Sequence, residues 1–373
     1  MRVIMLTSVH DPFDTRIFHR ESVALARAGH EVTLVAPHDA SETRDGVTLA
    51  AVPPPRTRTE RMTRAAARVW RRALSLNGDV YHFHDPELIP GALMARASGH
   101  RVVYDLHEDF PQTFAAKTYL PPALRGPLAQ VAEWAEGAAC RCFTALVAAT
   151  PAIDQRARRL HRHTALVQNF PRPEEFRTRA GGPWKDRDRA VVYVGNLTRN
   201  RGLAEMLEAM MLLRGDPPPV LRLAGRFDSA AEREEAERLP GWRRVEDLGY
   251  LDRAGVSALL SRVRAGLVLL HPEQRYQVAW PVKLFEYMAA GVPVVASNFP
   301  LWRTIVGESR CGWLVDPLDP AAIAEAIREL LEDPSEAEAM GRRGQAAMLD
   351  RFNWHTEELK LLDLYSQLDR SRS

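Results

Sequence analysis

The sequence predicts two doubly wound α/β domains, and three observations carry that expectation. Its 373 residues exceed the ~100–200 residues of an ordinary domain. Short apolar runs alternate with amphipathic stretches in two successive series, the pattern of parallel strands joined by helices that cover both faces of a sheet. Between the series lies the stretch 171–189, which has no apolar period but holds three prolines and a Gly-Gly pair, and reads as a linker. Hydrophobic residues make up 46% of the chain and charged residues 26%, which excludes wholesale disorder.

In the first series residues 3–6, 31–36, 80–83, 101–105 and 145–149 read as strands, with helical spacing over 18–28 and 61–74. In the second, residues 190–194, 220–223, 245–248, 266–270, 292–296 and 312–315 read as strands. Helices fit 203–213, 253–262, 283–289, 320–331 and 335–351. The expected division is a first domain over 1–175, a linker over 176–188, a second domain over 189–353 and a last helix over 354–373. That helix is apolar at Leu359, Leu362, Leu364, Tyr365 and Leu368. In doubly wound domains ligands bind outside the carboxyl ends of the strands, which is where chemistry is expected here.

Residues 1–9 read as a first buried strand rather than a signal peptide, with one early charge and no small-residue cleavage site before His10-Asp-Pro. No apolar run approaches the ~20 residues of a membrane span, so the expected location is the cytoplasm. Cys140, Cys142 and Cys311 are too few for a disulfide framework or a four-cysteine zinc site. A net charge of +2 gives no basic surplus for nucleic acid. The one basic concentration is Arg56, Arg58, Arg61, Arg64, Arg68, Arg71 and Arg72. From Arg61 onward it falls at helical spacing opposite Met62, Ala65, Ala66, Val69 and Leu74. Such a helix can lie on anionic lipid at the inner face of the membrane or simply face solvent.

Dinucleotide chemistry has no support, because G-x-G-x-x-G and the Walker G-K-[ST] are both absent. The informative stretch is 281–297, where Pro281 opens a helix with Lys283 and Glu286 in its first turns, followed by Gly291 and a buried strand. A helix amino terminus offers free N–H groups and positive dipole. With Lys283 added it can seat a diphosphate, and Glu286 on the same face can accept ribose hydroxyls. A capping carboxylate beside a solvated lysine is the other reading. Only four of the 50 basic residues are lysines, which favours a point charge chosen for the site. Two further clusters follow strands directly: His84, Asp85 and Glu87, then Asp105, His107, Glu108 and Asp109. Turn chemistry accounts for each alone, while their adjacency points to a site. No H-x-x-x-H spacing is present, and no metal is expected.

These motifs, in order, resemble the retaining glycosyltransferases of family 4, which have the GT-B fold of two Rossmann-like domains facing across a cleft. The resemblance is carried by residues 7–18 (TSVHDPFDTRIF), 84–88 (HDPEL), 104–109 (YDLHED), 283–287 (KLFEY), 298–302 (NFPLW) and 312–315 (GWLV). It implies a metal-independent transferase without a bound cofactor, moving a sugar from a nucleotide diphosphate donor to an acceptor hydroxyl. The acceptor classes it implies are a lipid-linked or cell-surface saccharide and a small natural product. Carried over by position, Glu286 would hold the ribose and Lys283 with Arg201 would clamp the diphosphate. Gly195, Asn196, Arg226, Tyr250 and Leu284 would complete the donor site, and His107 would stand at the reacting centre. The first domain would take the acceptor, at His10, Asp14, Arg16, His84 and Asp85. An ion pair of Arg16 with Asp14 or Glu21 competes with its acceptor role. The terminal helix would cross back to the first domain. Val278 departs from the family's first glutamate, and the sequence specifies neither base, sugar nor acceptor. A sugar-nucleotide epimerase on the same fold and a non-catalytic scaffold are the alternatives.

Overall fold

The computed structural model describes residues 1–57, 60–107, 121–176 and 184–370. The chain divides into two compact units, Met1–Asn169 with His355–Ser373, and Phe170–Trp354. Glu108, Asp109 and Arg58 lie outside the described residues, as does most of the stretch expected as a linker.

The first unit holds an eight-stranded sheet in the order β3-β4-β2-β1-β5-β6-β7-β8. The strands are β1 (Arg2–Leu6), β2 (Glu31–Pro37), β3 (Glu42–Arg44), β4 (Val47–Val52), β5 (Val80–Phe83), β6 (Arg101–Leu106), β7 (Ala145–Ala148) and β8 (Thr164–Leu166). All pairings are parallel except β3 with β4. Chain order reverses between β1 and β5, the switch point at which a doubly wound sheet opens a crevice. Strand alternation assigns the two faces. Ile4, Leu6, Tyr81, Phe83, Tyr104 and Leu106 point into one apolar core, where Phe83 stacks on Tyr104 at 4.4 Å. Met5, His82, Val103 and Asp105 alternate with them and turn to the opposite face. The helical segment 17–27 packs beside β2, and Tyr365 of the terminal helix Trp354–Arg370 reaches His82 on that opposite face. The terminal helix is tied down further where Arg101 Nη1 donates to the Leu368 carbonyl at 2.7 Å and the Gln168 N–H donates to Glu357 at 2.9 Å.

The second unit has a six-stranded, all-parallel sheet in the order β11-β10-β9-β12-β13-β14. Its strands are β9 (Ala190–Val194), β10 (Val220–Ala224), β11 (Val245–Asp247), β12 (Ala265–Val268), β13 (Val294–Ser297) and β14 (Gly312–Val315). Separate apolar clusters cover the sheet, as a buried parallel sheet requires. The chain enters this unit at Phe170, ahead of the expected linker, and Phe170, Phe176 and Trp184 are buried in its cores.

The helix Val282–Ala289 is fixed from two sides. Gly266 leaves room on β12 for the Tyr287 ring, which a Cβ would meet at 2.3 Å. The Tyr287 hydroxyl accepts the Val194 N–H at 2.9 Å. On the other side Phe285 meets Phe170 at 4.8 Å and Phe352 at 5.4 Å. That rigidity places the first turn of the helix beside the end of β9.

Candidate active site

In the second unit the switch point falls between β9 and β12, and three glycines follow β9, β10 and β11 in turn. The Gly195 N–H donates to the Ala224 carbonyl and the Gly225 N–H to the Gly249 carbonyl, at 2.9 and 2.8 Å. A Cβ on Gly225 would stand 1.8 Å from the Gly195 carbonyl oxygen, so these backbones pass closer than any side chain allows. Gly195 itself has φ +137°, and Lys283 lies over it, its Cε 3.3 Å from where a Cβ would be. Lys283 Nζ is 3.4 Å from Glu286 Oε2. No side chain caps the helix that carries both, so its first-turn N–H groups add positive character beside the ammonium.

Arg201 closes the other side. It ends the short turn Arg199–Arg201, held by Gly202 at φ +76°, and bonds the Tyr193 hydroxyl. Tyr193 in turn donates to the Asn196 carbonyl at 2.9 Å. Burial pushes the Tyr193 hydroxyl up to about 12 against the pull of Arg201, so it keeps its proton. Glu286 is buried, and Arg253 lies within electrostatic reach of it while pairing with Glu175. Arg226 stacks its guanidinium on the exposed Tyr250 ring at 4.4 Å. This brings Gly195, Asn196, Arg201, Lys283 and Glu286 together, with Arg226 and Tyr250 as a pair at the ends of the adjoining strands. Leu284 is different: its side chain is fully buried in the apolar core and its N–H donates to Pro281 at 3.0 Å.

In the first unit the polar residues after β1, β5 and β6 converge. Asp85 accepts the Thr7 hydroxyl at 2.7 Å and the Ser8 N–H at 2.5 Å, with His10 Nε2 at 3.2 Å. Burial pushes the Asp85 carboxyl up, but His10, Ser8 and Thr7 together outweigh it and hold it at about 2. Asp105 takes Arg16 bidentately, Nε at 2.8 Å and Nη2 at 2.7 Å, and His84 Nδ1 at 3.0 Å. Against its own burial, Arg16, His107 and His84 keep Asp105 well below the usual carboxylate range. His84 therefore donates from Nδ1, and burial keeps its ring neutral. His107 Nε2 faces His10 Nε2 at 3.0 Å, and its Nδ1 stands 3.5 Å from Asp105.

Of the residues expected to meet an acceptor, His10 and Asp14 have partly open side chains. Arg16 is buried, spends Nε and Nη2 on Asp105, donates Nη1 to the Val167 carbonyl at 2.8 Å, and lies 3.0 Å from Glu21. It is a clamp inside the unit rather than an acceptor ligand. His84 and Asp85 are buried too, and Asp14 caps the next segment by accepting the Arg16 and Ile17 N–H groups. Among the described residues, His10, Asp85 and His107, then Glu21, His82 and His84, then His84, Asp105 and His107, each bring three potential metal-ligand atoms within 4.8 Å. The carboxylates in all three sets already take Arg16 or the Thr7–Ser8 donors.

Several contributors escaped sequence reasoning. Tyr193 is the one polar-tipped residue in Ala190–Val194, and that was its only signal. Arg253 and Glu175 carry none. His82 and Tyr365 carry none either and become visible only once the fold brings them together, whereas Glu21 was already a rival partner for Arg16 in the sequence.

Residues 15–171 match the family described as glycosyl transferase 4-like domain, and residues 174–347 match glycosyl transferases group 1. Over 179 residues the chain is 29% identical to a glycogen synthase of Mycobacterium tuberculosis, covering 47% of this chain and 42% of that protein. It thus spans less than half the length of that relative. Among solved structures, sucrose-phosphate synthase from Thermosynechococcus elongatus superposes with a TM-score of 0.78 at 20% identity, covering 100% of both chains. Anabaena HepE in complex with UDP-glucose gives 0.75 at 15% identity, covering 98% of this chain and 100% of that one. The two matched stretches, with the fold they share with these structures, place the chain among the GT-B glycosyltransferases, a glycosyl transferase 4-like domain followed by a glycosyl transferases group 1 domain.

Proposed function

We propose that the protein is a retaining glycosyltransferase that moves a sugar from a nucleotide diphosphate sugar to an acceptor hydroxyl without a metal ion. The observation that carries this reading is Lys283 lying over Gly195 at an uncapped helix start, with Glu286 one turn further on. A diphosphate fits against the Gly195 backbone, where Lys283, Arg201 and the first-turn N–H groups stabilise charge that grows as the sugar departs. Those donors take the part a divalent ion plays elsewhere. Glu286 accepts ribose hydroxyls, and Arg226 with Tyr250 borders the place of the base. HepE holding UDP-glucose supports a donor of this class.

The first unit takes the acceptor, with His107 and His10 the partly open groups of its polar cluster. The bond from the anomeric carbon to the phosphate oxygen breaks as the bond to the acceptor oxygen forms on the same face. The departing phosphate takes the acceptor proton, so no carboxylate need attack the sugar. A lipid-linked saccharide, a surface polysaccharide or a small natural product fits this chemistry, and the basic helical segment 61–74 can meet the inner face of an anionic membrane.

Thermal unfolding with UDP, GDP, dTDP and ADP tests the donor site, each with wild type and with Glu286→Ala. A ligand at a hundred times its dissociation constant adds ~2.7 kcal/mol, which raises the midpoint by several degrees. One nucleotide should stabilise the wild type and leave the variant at its own unliganded midpoint. Equal stabilisation of both proteins would overturn the assignment. Mass analysis of donor incubated alone separates transfer from epimerisation, which would release free nucleotide without an acceptor.

A further inference from the structure

The helix Pro122–Cys140 of the first unit is apolar on both sides. Glu136, Gly137, Ala139 and Cys140 turn inward and are buried. Leu124, Leu128, Val131 and Trp134 follow at i, i+4, i+7 and i+10, which is one stripe of an α-helix. All four are exposed, Val131 at 63% and Trp134 at 77%. The adjoining helix Ile89–Ala97 adds Met94, 72% exposed. Single surface apolar residues need no explanation, but five large ones on neighbouring helices mark a surface that is covered in use.

Against the same Ile89–Ala97 helix packs the segment 61–74, where Trp70 Nε1 donates to the Leu88 carbonyl at 2.9 Å. Its outward residues Arg64, Arg71 and Arg72 are exposed, and among the described residues none forms an ion pair. An apolar stripe beside a row of unneutralised arginines is complementary to an anionic bilayer, which offers acyl chains and phosphate headgroups at adjacent depths. Tryptophan, apolar with one N–H donor, suits that boundary.

We propose that this three-helix face docks the protein on an anionic lipid surface, with Leu124, Leu128, Val131 and Trp134 seated at the boundary between headgroups and acyl chains. Arg64, Arg71 and Arg72 lie on the headgroups beside them. The docking names where a lipid-borne acceptor is met, and in that respect it rests on the transferase reading above.

Co-sedimentation of the full chain with phosphatidylglycerol-containing vesicles and with pure phosphatidylcholine vesicles tests it, with no nucleotide present. Binding should be strong to the former, weak to the latter, and should fall with added salt. The pair Val131→Ser with Trp134→Ser should weaken it by about tenfold or more. Replacing Arg64, Arg71 and Arg72 by Gln should weaken it by about a hundredfold on anionic vesicles alone. Trp134→Phe should remove the fluorescence quenching by brominated lipid that wild type shows. All these positions are exposed, so each variant should unfold at the wild-type midpoint. Binding that is absent, or that survives the apolar pair unchanged, overturns the proposal. So does a dimer in light scattering that the apolar pair dissolves. If nucleotide still stabilises the protein through Glu286 while vesicles do not bind, docking alone fails. The reverse outcome removes the transferase reading and leaves the docking surface.

Discussion

The Nε2 atoms of His10 and His107 lie 3.0 Å apart, a spacing at which one ring donates and the other accepts. Asp85 Oδ1, 3.2 Å from His10 Nε2, favours the proton on His10. His107 then keeps its own proton at Nδ1, towards Asp105, and turns a lone pair to His10. The tautomer of the ring expected nearest the chemistry is set by a neighbour rather than by its own strand.

His10→Ala should therefore lower kcat by about tenfold or more while leaving donor KM near its wild-type value, because it removes the contact that orients the His107 ring at the acceptor side. Steady-state kinetics decide the matter, and a change confined to KM would count against this role.

Asp85 predicts a stability signature in acid. Its carboxyl drops from the ordinary 3.8 to about 2 on folding, so its contribution is complete above the unfolded value and is lost as pH falls through the folded one. That contribution is about 2 kcal/mol. Asp85→Asn should be less stable than wild type by roughly this amount at neutral pH. Urea unfolding should show the gap narrowing between about pH 4 and pH 2.

Lys283 is one-third exposed, 3.4 Å from Glu286, and contributes little to folding. Lys283→Ala should leave the unfolding midpoint unchanged and weaken nucleotide diphosphate binding by about tenfold to a hundredfold. The free nucleoside, which has no phosphate to meet, should bind both proteins alike. Calorimetric titration with both ligands would reveal the difference.

Gly225→Ala places a methyl where the Gly195 carbonyl already stands. Relief requires β9 and β10 to separate at their carboxyl ends, which should cost about 1–3 kcal/mol and spoil the donor site together. A loss of stability without a loss of nucleotide binding would show that the glycine row serves packing alone.

Much of this was legible because periodicity reports burial. The stretches 80–83 and 190–194 end where the strands end, since both are buried throughout, and 312–315 does so at the sheet edge, where Trp313 is exposed. Strands β3 and β8 escaped because three residues at a sheet edge have no period to read. The helix Pro122–Cys140 escaped because Gly126, Pro127 and Gly137 lower its local propensity while packing overrides it. At the site, Lys283 and Glu286 were readable from their place on one helix turn. Arg16 was readable only in part: the ion pair with Glu21 was one of two readings, and the convergence of Asp105 and Val167 across the fold shows the side chain fully taken. Sequence spacing locates residues of one element. It says nothing about which charge a distant strand will deliver.

The terminal helix makes the first unit discontinuous in the chain, and that fixes an order of events on the ribosome. Residues 170–354 emerge as one uninterrupted body and can complete their cores as soon as they are released. The earlier-made residues 1–169 contain their own apolar core but not the partners of its other face, where His82 waits for the Tyr365 hydroxyl and the Gln168 N–H for Glu357. At about 5–20 residues per second that wait lasts roughly ten to forty seconds of synthesis. During it the nascent amino-terminal half leaves His82 and the Gln168 N–H without their terminal-helix partners. The half of the protein translated first is thus the half that finishes last.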